Sequence, residues 1–399
     1  MSVAEALSEM GLLDSVGGLK AVAEASSHTI SAAMVEQHAV MMVDAYMTRQ
    51  LSRIGEKIGQ SIQSGESARD ISDTVIHEIQ RILDCQSSSK IAHAKEFVTQ
   101  ALNTFKHAEE NRGVPGIKSG LLELDEVTGG WQNGDYIILA ARPSTGKTNV
   151  ALNWIIEAAK QVPVLFYSAE MSGLTVMQRM IGASANLNDR KIKRAILGNN
   201  EVNRMVEAAN ILAESNIWMD DTAAKYIGDI ESDVRKLVRE KKIGLVVVDY
   251  IGKVKTKRAR SRQEEVADVS ARLKGIAMEH KMPVITLAQL NRNVEARSGV
   301  PVLSDLREAG DLEQDADVVI FLHSFERERK EAIPKGYGQY SGRSSAGMLC
   351  FVVAKQRTGP ICDVFARFVK ESGRILPADG FVGPQQRNDD DRLTDNLPF

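Results

Sequence analysis

The spacing of apolar positions changes near residue 120 and divides this chain into a helical part and a mixed part. Residues 1–87 read as all-helical. The segment Ala32–Ile54 has no Gly or Pro and is rich in Ala, Met, Val and Leu, which predicts a helix. Further on, Asp70 or Ser72 is a candidate N-cap for a helix running to Leu83. The polar run Gln86–Lys90 breaks the pattern and reads as a hinge. Beyond it, Ala94, Phe97, Val98, Ala101, Leu102, Phe105 and Ala108 form one stripe at helical spacing. That helix stops at Asn111-Arg-Gly113-Val-Pro115-Gly116. Two readings of the stripe stay open: it packs on its own domain, or it is a linker helix docking on a neighbouring subunit.

From Gly120 short β runs alternate with helices, the signature of a parallel sheet. The candidate strands are Tyr136–Ala140, Pro163–Tyr167, Leu245–Val248, Pro283–Leu287, Val318–Leu322 and Met348–Val353. They are nearly continuous in apolar residues, as strands covered on both faces should be. Helices are expected over Thr148–Lys160, Tyr226–Lys241 and Gln263–Glu279. The polar stretch Phe325–Ala346 reads as a mobile surface loop. The expected division is a helical N-terminal domain at 1–87, a hinge and linker helix at 88–116, an α/β domain at 117–378, and an acidic tail at 379–399.

Composition narrows the function classes. The chain has 399 residues, 43% apolar and 26% charged, enough for a large core in a soluble protein. Its net charge of −3 gives no global sign of nucleic-acid binding, so any DNA contact must come from local basic patches. Aromatics at 5% make an extensive base-stacking surface unexpected. Cys85, Cys350 and Cys362 fit no metal-ligand spacing and read as reduced thiols. Glu5 and Glu9 argue against a signal peptide, and no apolar run approaches the roughly 18 residues of a span. A soluble, intracellular protein without a membrane partner is expected. His77-Glu78 lacks the second histidine of a zinc-protease helix.

The chemistry concentrates at strand ends. After the first strand comes Ala141-Arg142-Pro143-Ser144-Thr145-Gly146-Lys147-Thr148, a phosphate-loop pattern in which Ala141 replaces the first glycine. The loop Pro143-Ser144-Thr145-Gly146 and the helix start would cradle phosphate oxygens with backbone amides, Lys147 would reach the β and γ phosphates, and Thr148 would hold Mg²⁺. Asp249 ends the apolar run Gly244–Val248 and is the candidate second Mg²⁺ residue. Glu170, after Pro163–Tyr167, is the candidate base that orients water, and Gln289, after Pro283–Leu287, a candidate γ-phosphate sensor. Each taken singly could be a polar residue closing a strand. Lys253, Lys255, Lys257, Arg258, Arg260 and Arg262 form a basic run without an acid, either a DNA-facing surface or a solvated loop.

Several longer phrases resemble the bacterial and phage replicative DNA helicases, the DnaB-like family. They are Ala140–Thr148, Ser168-Ala-Glu-Met171, Val248-Asp-Tyr250, Gln289-Leu-Asn-Arg292, Ser304-Asp-Leu-Arg-Glu-Ala-Gly310, Glu313-Gln-Asp-Ala-Asp317 and Ala354-Lys-Gln-Arg-Thr-Gly-Pro360. The resemblance implies a RecA-like P-loop ATPase core over roughly 117–375. It implies a homo-hexameric ring on single-stranded DNA that uses ATP and Mg²⁺ to unwind duplex, 5′ to 3′. By motif position it makes Glu170 the water-activating base and Gln289 the sensor. It makes Lys355 and Arg357 the pair inserted into a neighbour's site, and sets Arg179 near the nucleotide. It assigns DNA backbone contacts to Arg307, Glu308 and Gly310. Primase, a helicase loader, a polymerase or a receptor for single-strand-binding tails are the implied partners, in the cytoplasm of a bacterial cell or of a phage's host. The alternatives are a RecA-like recombinase or remodelling ATPase that does not unwind, and a subunit that binds nucleotide only to assemble.

Three departures from the family pattern follow. Leu13–Gly18 and Thr29–Ala33 resemble the later part of the family's helical N-terminal domain, so a shortened domain is expected. Asp311 follows Gly310 where a small neutral residue is usual. The acidic end, closing on Pro398-Phe399, resembles a partner-recruiting peptide and reads equally as a disordered tail.

Overall fold

The structure, a computed structural model, describes positions 18 and 20, residues 33–68, 71–79 apart from 73 and 77, 93–110, and 113–378 apart from 257–258, 260, 292–298 and 307–308. The readings placed on Asp70, Cys85, the 86–90 hinge, Lys257, Arg258, Arg260, Arg307, Glu308 and the Pro398-Phe399 tail lie outside the described residues. The chain divides into two compact units, Met1–Phe97 and Val98–Phe399.

In the first unit α1 spans Ala33–Gln63. It runs past the expected end at Ile54 and through Gly55 and Gly59, each of which costs about 1 kcal/mol against alanine. It stops at Gly65, whose φ of 78° is open to a residue without a Cβ. A Lys57–Glu78 ion pair of 2.8 Å joins α1 to the helical residues at 71–79. Ser72 is not a cap. Its hydroxyl donates to the Ala68 carbonyl at 2.8 Å from inside the helical stretch. Helix α2, Ala94–Glu110, forms over the apolar stripe and carries it across the boundary between the units. Phe97, Val98, Leu102 and Phe105 on it are 55–72% exposed.

Beyond α2 the second unit continues with α3, Leu122–Thr128, and then builds its sheet from β1 (Tyr136–Ala141), α4 (Lys147–Ala158), β2 (Val164–Ser168) and α5 (Gly173–Ala185). Next come α6 (Asp189–Lys193), α7 (Asn199–Ala213), β3 (Ile217–Asp220), α8 (Ile227–Lys241), β4 (Leu245–Asp249), α9 (Arg262–His280) and β5 (Val284–Gln289). The chain ends on α10 (Ala309–Asp315), β6 (Val318–His323), β7 (Met348–Gln356), β8 (Cys362–Val369) and β9 (Arg374–Pro377). Among the described residues these strands form one sheet in the order β3-β2-β4-β5-β1-β6-β7-β8-β9.

Six strands are parallel, and the continuous apolar runs of all but the edge strand β3 have a direct cause. Side chains alternate between two cores: Tyr136, Ile138 and Ala140 face the one covered by α8 and α9, while Ile137, Leu139 and Ala141 face the one covered by α4 and α5. Both sides are filled by large side chains, each worth about 1.5–3 kcal/mol when fully buried. Trp131 and Trp154, ring centroids 4.7 Å apart, anchor the α4 side.

The sheet is mostly parallel, as expected: the run at Met348 belongs to it but lies antiparallel to β6, and β8 and β9 continue antiparallel beyond it. These two, and the short half-buried edge strand β3, lack the continuous apolar run that marks covered strands. The stretch Phe325–Ala346 is not a free surface loop. Phe325, Ile333 and Tyr340 are buried in the α8/α9-side core, and Tyr340 stacks on Phe365 at 4.5 Å between centroids. Such isolated anchors among polar residues carry no period to read.

Candidate active site

The phosphate loop leaves the end of β1. Ala141 is its last strand residue, fully buried and paired with Gln289 on one side and Leu322 on the other. Its backbone is ordinary strand, which is why no glycine is needed there. The turn comes later. The Thr145 amide donates to the Arg142 carbonyl, Ser144 takes φ 59°, and Gly146 takes φ 102° as the N-cap of α4. Pro143 and Ser144 are exposed while Thr145 is buried. The first amides of α4 have no acceptor within the helix, as at every helix start, so they are open to an anion.

Parallel register gathers the strand-end residues. Ser168 pairs with Asp249, Asp249 with Leu287, and Gln289 with Ala141. Glu170, Asp249, Gln289 and Lys147 therefore collect at the carboxyl edge of adjacent strands, where open α/β sheets bind ligands. The Thr148 hydroxyl donates to Asp249 Oδ2 at 2.8 Å. Asp249 is 1% exposed, and its Oδ1 is buried with no hydrogen-bond partner. The Lys147 ammonium reaches the Ala288 carbonyl at 3.3 Å and lies 5.0 Å from the centre of the Tyr250 ring.

Burial and neighbouring charges set the electrostatics of this cluster. Burial pushes the Asp249 carboxyl up, opposed by Lys147, the Thr148 hydroxyl and Arg179. Burial likewise pushes Lys147 down, opposed by Asp249 and Glu170. Glu170, at the rim, is raised by desolvation and by the Asp249 charge, with Lys147 and Lys253 pulling the other way. A second cation at the orphaned Asp249 oxygen and an anion at Lys147 would relieve all three. A hard divalent cation bound by one carboxylate and one hydroxyl fits this donor set. Among the described residues no cluster of three or more metal-ligating side chains offers an alternative centre.

Arg179 on α5 reaches Asn149 Oδ1 at 3.4 Å, two residues past Lys147. Two neighbours escaped sequence reading. Arg327 donates to the Pro143 carbonyl and to the Thr145 hydroxyl. The Phe368 ring lies 3.4 Å from where a Cβ on Gly146 would sit. Neither lies in a recognisable phrase.

Lys355 and Arg357 are not brought to this cluster. Antiparallel β7 ends beside the start of β6, with Gln356 opposite Val318, and Val318 in turn pairs with Ile137 near the start of β1. The pair thus lies toward the opposite edge of the sheet, about 13 Å along the strands from the end of β1 at roughly 3.3 Å per strand residue. There Lys355 Nζ donates to the carbonyls of Glu313 and Ala316. Arg357 donates to the Gln314 carbonyl at 2.9 Å and pairs with Asp317 at 3.0 Å.

The DNA candidates separate. Gly310 is exposed in the first turn of α10, next to Asp311. Lys253 is exposed on the turn after β4, close enough to Glu170 to affect its charge. Lys255 pairs with Glu265 of α9 at 3.6 Å, and Arg262 pairs with the same carboxylate. No described helix is long and apolar enough to cross a membrane.

Comparison with known proteins agrees with this geometry. Residues 116–376 match the DnaB-like helicase C-terminal domain. The chain is 32% identical over 397 residues to the replicative DNA helicase DnaC of Bacillus subtilis (strain 168), covering 98% of this chain and 84% of that protein. It is 32% identical to the replicative DNA helicase DnaB of Geobacillus stearothermophilus over 371 residues, 91% and 79% of the two chains. Among solved structures, an isolated ATPase domain superposes with a TM-score of 0.63 at 32% identity, over 71% of this chain and 99% of that one. A DnaB-like replicative helicase, studied with its interactions with primase, gives 0.64 at 28% identity, over 94% and 87%. The relatives are named as helicases, which sets aside the recombinase and assembly-only alternatives. The chain belongs to the DnaB-like replicative DNA helicases, ATP-hydrolysing enzymes built on a RecA-like core.

Proposed function

We propose that this helicase works as a hexameric ring that moves 5′ to 3′ on single-stranded DNA and hydrolyses ATP at sites shared between neighbours. The observation that carries the reading is the separation of Lys355 and Arg357 from the Lys147 cluster by the width of the sheet. A subunit cannot complete its own site with them, and a neighbour's edge can supply them. An arginine so placed stabilises charge as it spreads over the transferring phosphoryl group.

In this reading Lys147 and the loop at Pro143–Gly146 bind the phosphates, with Arg179 near the nucleotide. Thr148 and Asp249 hold Mg²⁺, which when bound offsets charge on the phosphate oxygens. Glu170, its carboxyl raised by desolvation and the Asp249 charge, accepts the proton of the attacking water, and Gln289 senses the γ-phosphate. Gly310 and Lys253, with Arg307, Glu308 and the remaining basic run, contact the DNA backbone. Primase is the partner suggested by the relative studied with it.

The deciding assay is strand displacement with ATP and Mg²⁺ on forks bearing a single tail. Unwinding is expected from the 5′ tail only, and equal activity from the 3′ tail would reject the stated direction.

Assembly gives a second test. The exposed stripe on α2 is an apolar face that a neighbouring subunit would cover. Phe105 is 72% exposed, so Phe105→Glu should leave each unit folded. Light scattering should then report loss of the ring, with ATP hydrolysis falling alongside it. A variant that remained fully assembled would remove α2 from the interface.

A further inference from the structure

A phosphate loop binds anions by turning its amides inward, which leaves its carbonyls facing out without helical or sheet partners. The loop also carries Ser144 in the left-handed region, at φ 59°, where a residue with a Cβ costs about 1–2 kcal/mol. Such a conformation persists when contacts outside the loop over-determine it. Here those contacts come from one short turn, Glu326–Glu328, which follows the buried anchor Phe325.

Two consecutive side chains of that turn, Arg327 and Glu328, reach the loop itself, and Glu326 ties the turn to neighbouring segments. The Arg327 guanidinium donates to the outward Pro143 carbonyl and, at 2.9 Å, to the Thr145 hydroxyl. Glu328 pairs with Arg142 at 3.8 Å on the near side of the loop and accepts from the Gly299 amide at 3.2 Å. Glu326 accepts from the Gly347 amide at 2.9 Å and pairs with Lys370, two residues beyond the Phe368 that packs on Gly146. The loop is thus gripped from its start to its helix cap by residues far away in sequence, Arg327 lying 184 positions from Pro143.

We propose that Arg327 is a positioning residue for nucleotide binding, capping Pro143 and Thr145 so that the phosphate loop holds its binding shape before the ligand arrives. The proposal rests on the reading of this loop as the ATP site. Arg327 touches the loop from outside and is itself exposed, so its effect falls on affinity and not on the chemical step. Preorganisation lowers the ordering cost that binding must otherwise meet, and charge-assisted hydrogen bonds of this kind are the stronger ones.

The test measures binding of a fluorescent ADP analogue, KM and kcat for ATP, and the melting temperature, in Arg327→Ala, Arg327→Lys, Thr145→Val and the Arg327→Ala/Thr145→Val double variant. Arg327→Ala should raise Kd and KM about tenfold, with kcat within about twofold and melting unchanged. Lysine, with a single ammonium, should restore part of the affinity. Because one hydrogen bond is shared, the double variant should lose less than the sum of the single losses. Unchanged affinity, a fall in kcat at constant KM, or full additivity would overturn the proposal. Lys147→Ala serves as the reference. If it too leaves nucleotide binding intact, the loop is not the nucleotide site; if it alone abolishes binding, only the role of Arg327 fails.

Discussion

The Lys147→Ala protein is expected to lose ATP hydrolysis by at least about 10²–10³-fold and to displace no strand from any fork. The ammonium is buried between Asp249 and Glu170 and is the largest influence holding the Asp249 carboxyl down against burial. Removing it acts twice. The phosphates lose their buried cation, and Asp249 moves further toward the protonated form, which weakens it as a metal ligand. The pH dependence has a definite sign. A carboxyl whose folded pKa lies above its unfolded value gives stability that is present at low pH and lost as pH rises through the folded pKa. The variant's stability relative to wild type should therefore be lowest at neutral and alkaline pH and recover on acidification. Denaturant melts across pH, with nucleotide binding and turnover, would check this. Turnover within tenfold of wild type would falsify the role of Lys147.

Arg357→Ala is expected to reduce hydrolysis by about 10³–10⁵-fold while nucleotide binding stays near wild type. The fold should tolerate the change. Arg357 is half exposed, and such ion pairs contribute about 0–1 kcal/mol. Its partner Asp317 keeps Lys274 at 2.6 Å and the Tyr136 amide at 2.8 Å. Mixing the two inactive variants makes the prediction sharper. Where a subunit retaining Lys147 meets a neighbour retaining Arg357, the site is whole again, about one site in four for random equal mixing in a ring. Recovery of turnover on mixing Lys147→Ala with Arg357→Ala would be the signature of shared sites. No recovery on mixing would place both groups' action within one subunit, and normal turnover by Arg357→Ala alone would remove Arg357 from the reaction.

Much of the candidate site is legible in the sequence because its parts are local. A strand end, a tight turn and a helix start lie within a dozen residues at Ala140–Thr148, and Asp249 directly follows its apolar run. Parallel pairing then needs only register to bring Glu170, Asp249 and Gln289 together, and strand-end position announces that register. The family phrases likewise identify the helicase from consecutive residues. The striped helix at Ala94–Glu110 is readable for the same reason, since its period depends on neighbours three and four residues away.

The remaining features involve partners far apart along the chain. The direction of β7 sends Lys355 and Arg357 to the edge opposite Lys147, and no local pattern distinguishes an antiparallel strand from a parallel one there. Glu265 pairs with Lys255 across a turn that reads as purely basic. Phe325, Ile333 and Tyr340 anchor a stretch whose composition looks like a loop, because three buried side chains at irregular spacing leave no period. The grip of Arg327 on Pro143 and Thr145 joins segments 184 and 182 residues apart. Which residues can carry the chemistry is fixed locally, since backbone propensity and short motifs act through near neighbours. Which of them share a site, which stand apart from it, and what packs against the phosphate loop were settled only when packing brought distant segments together.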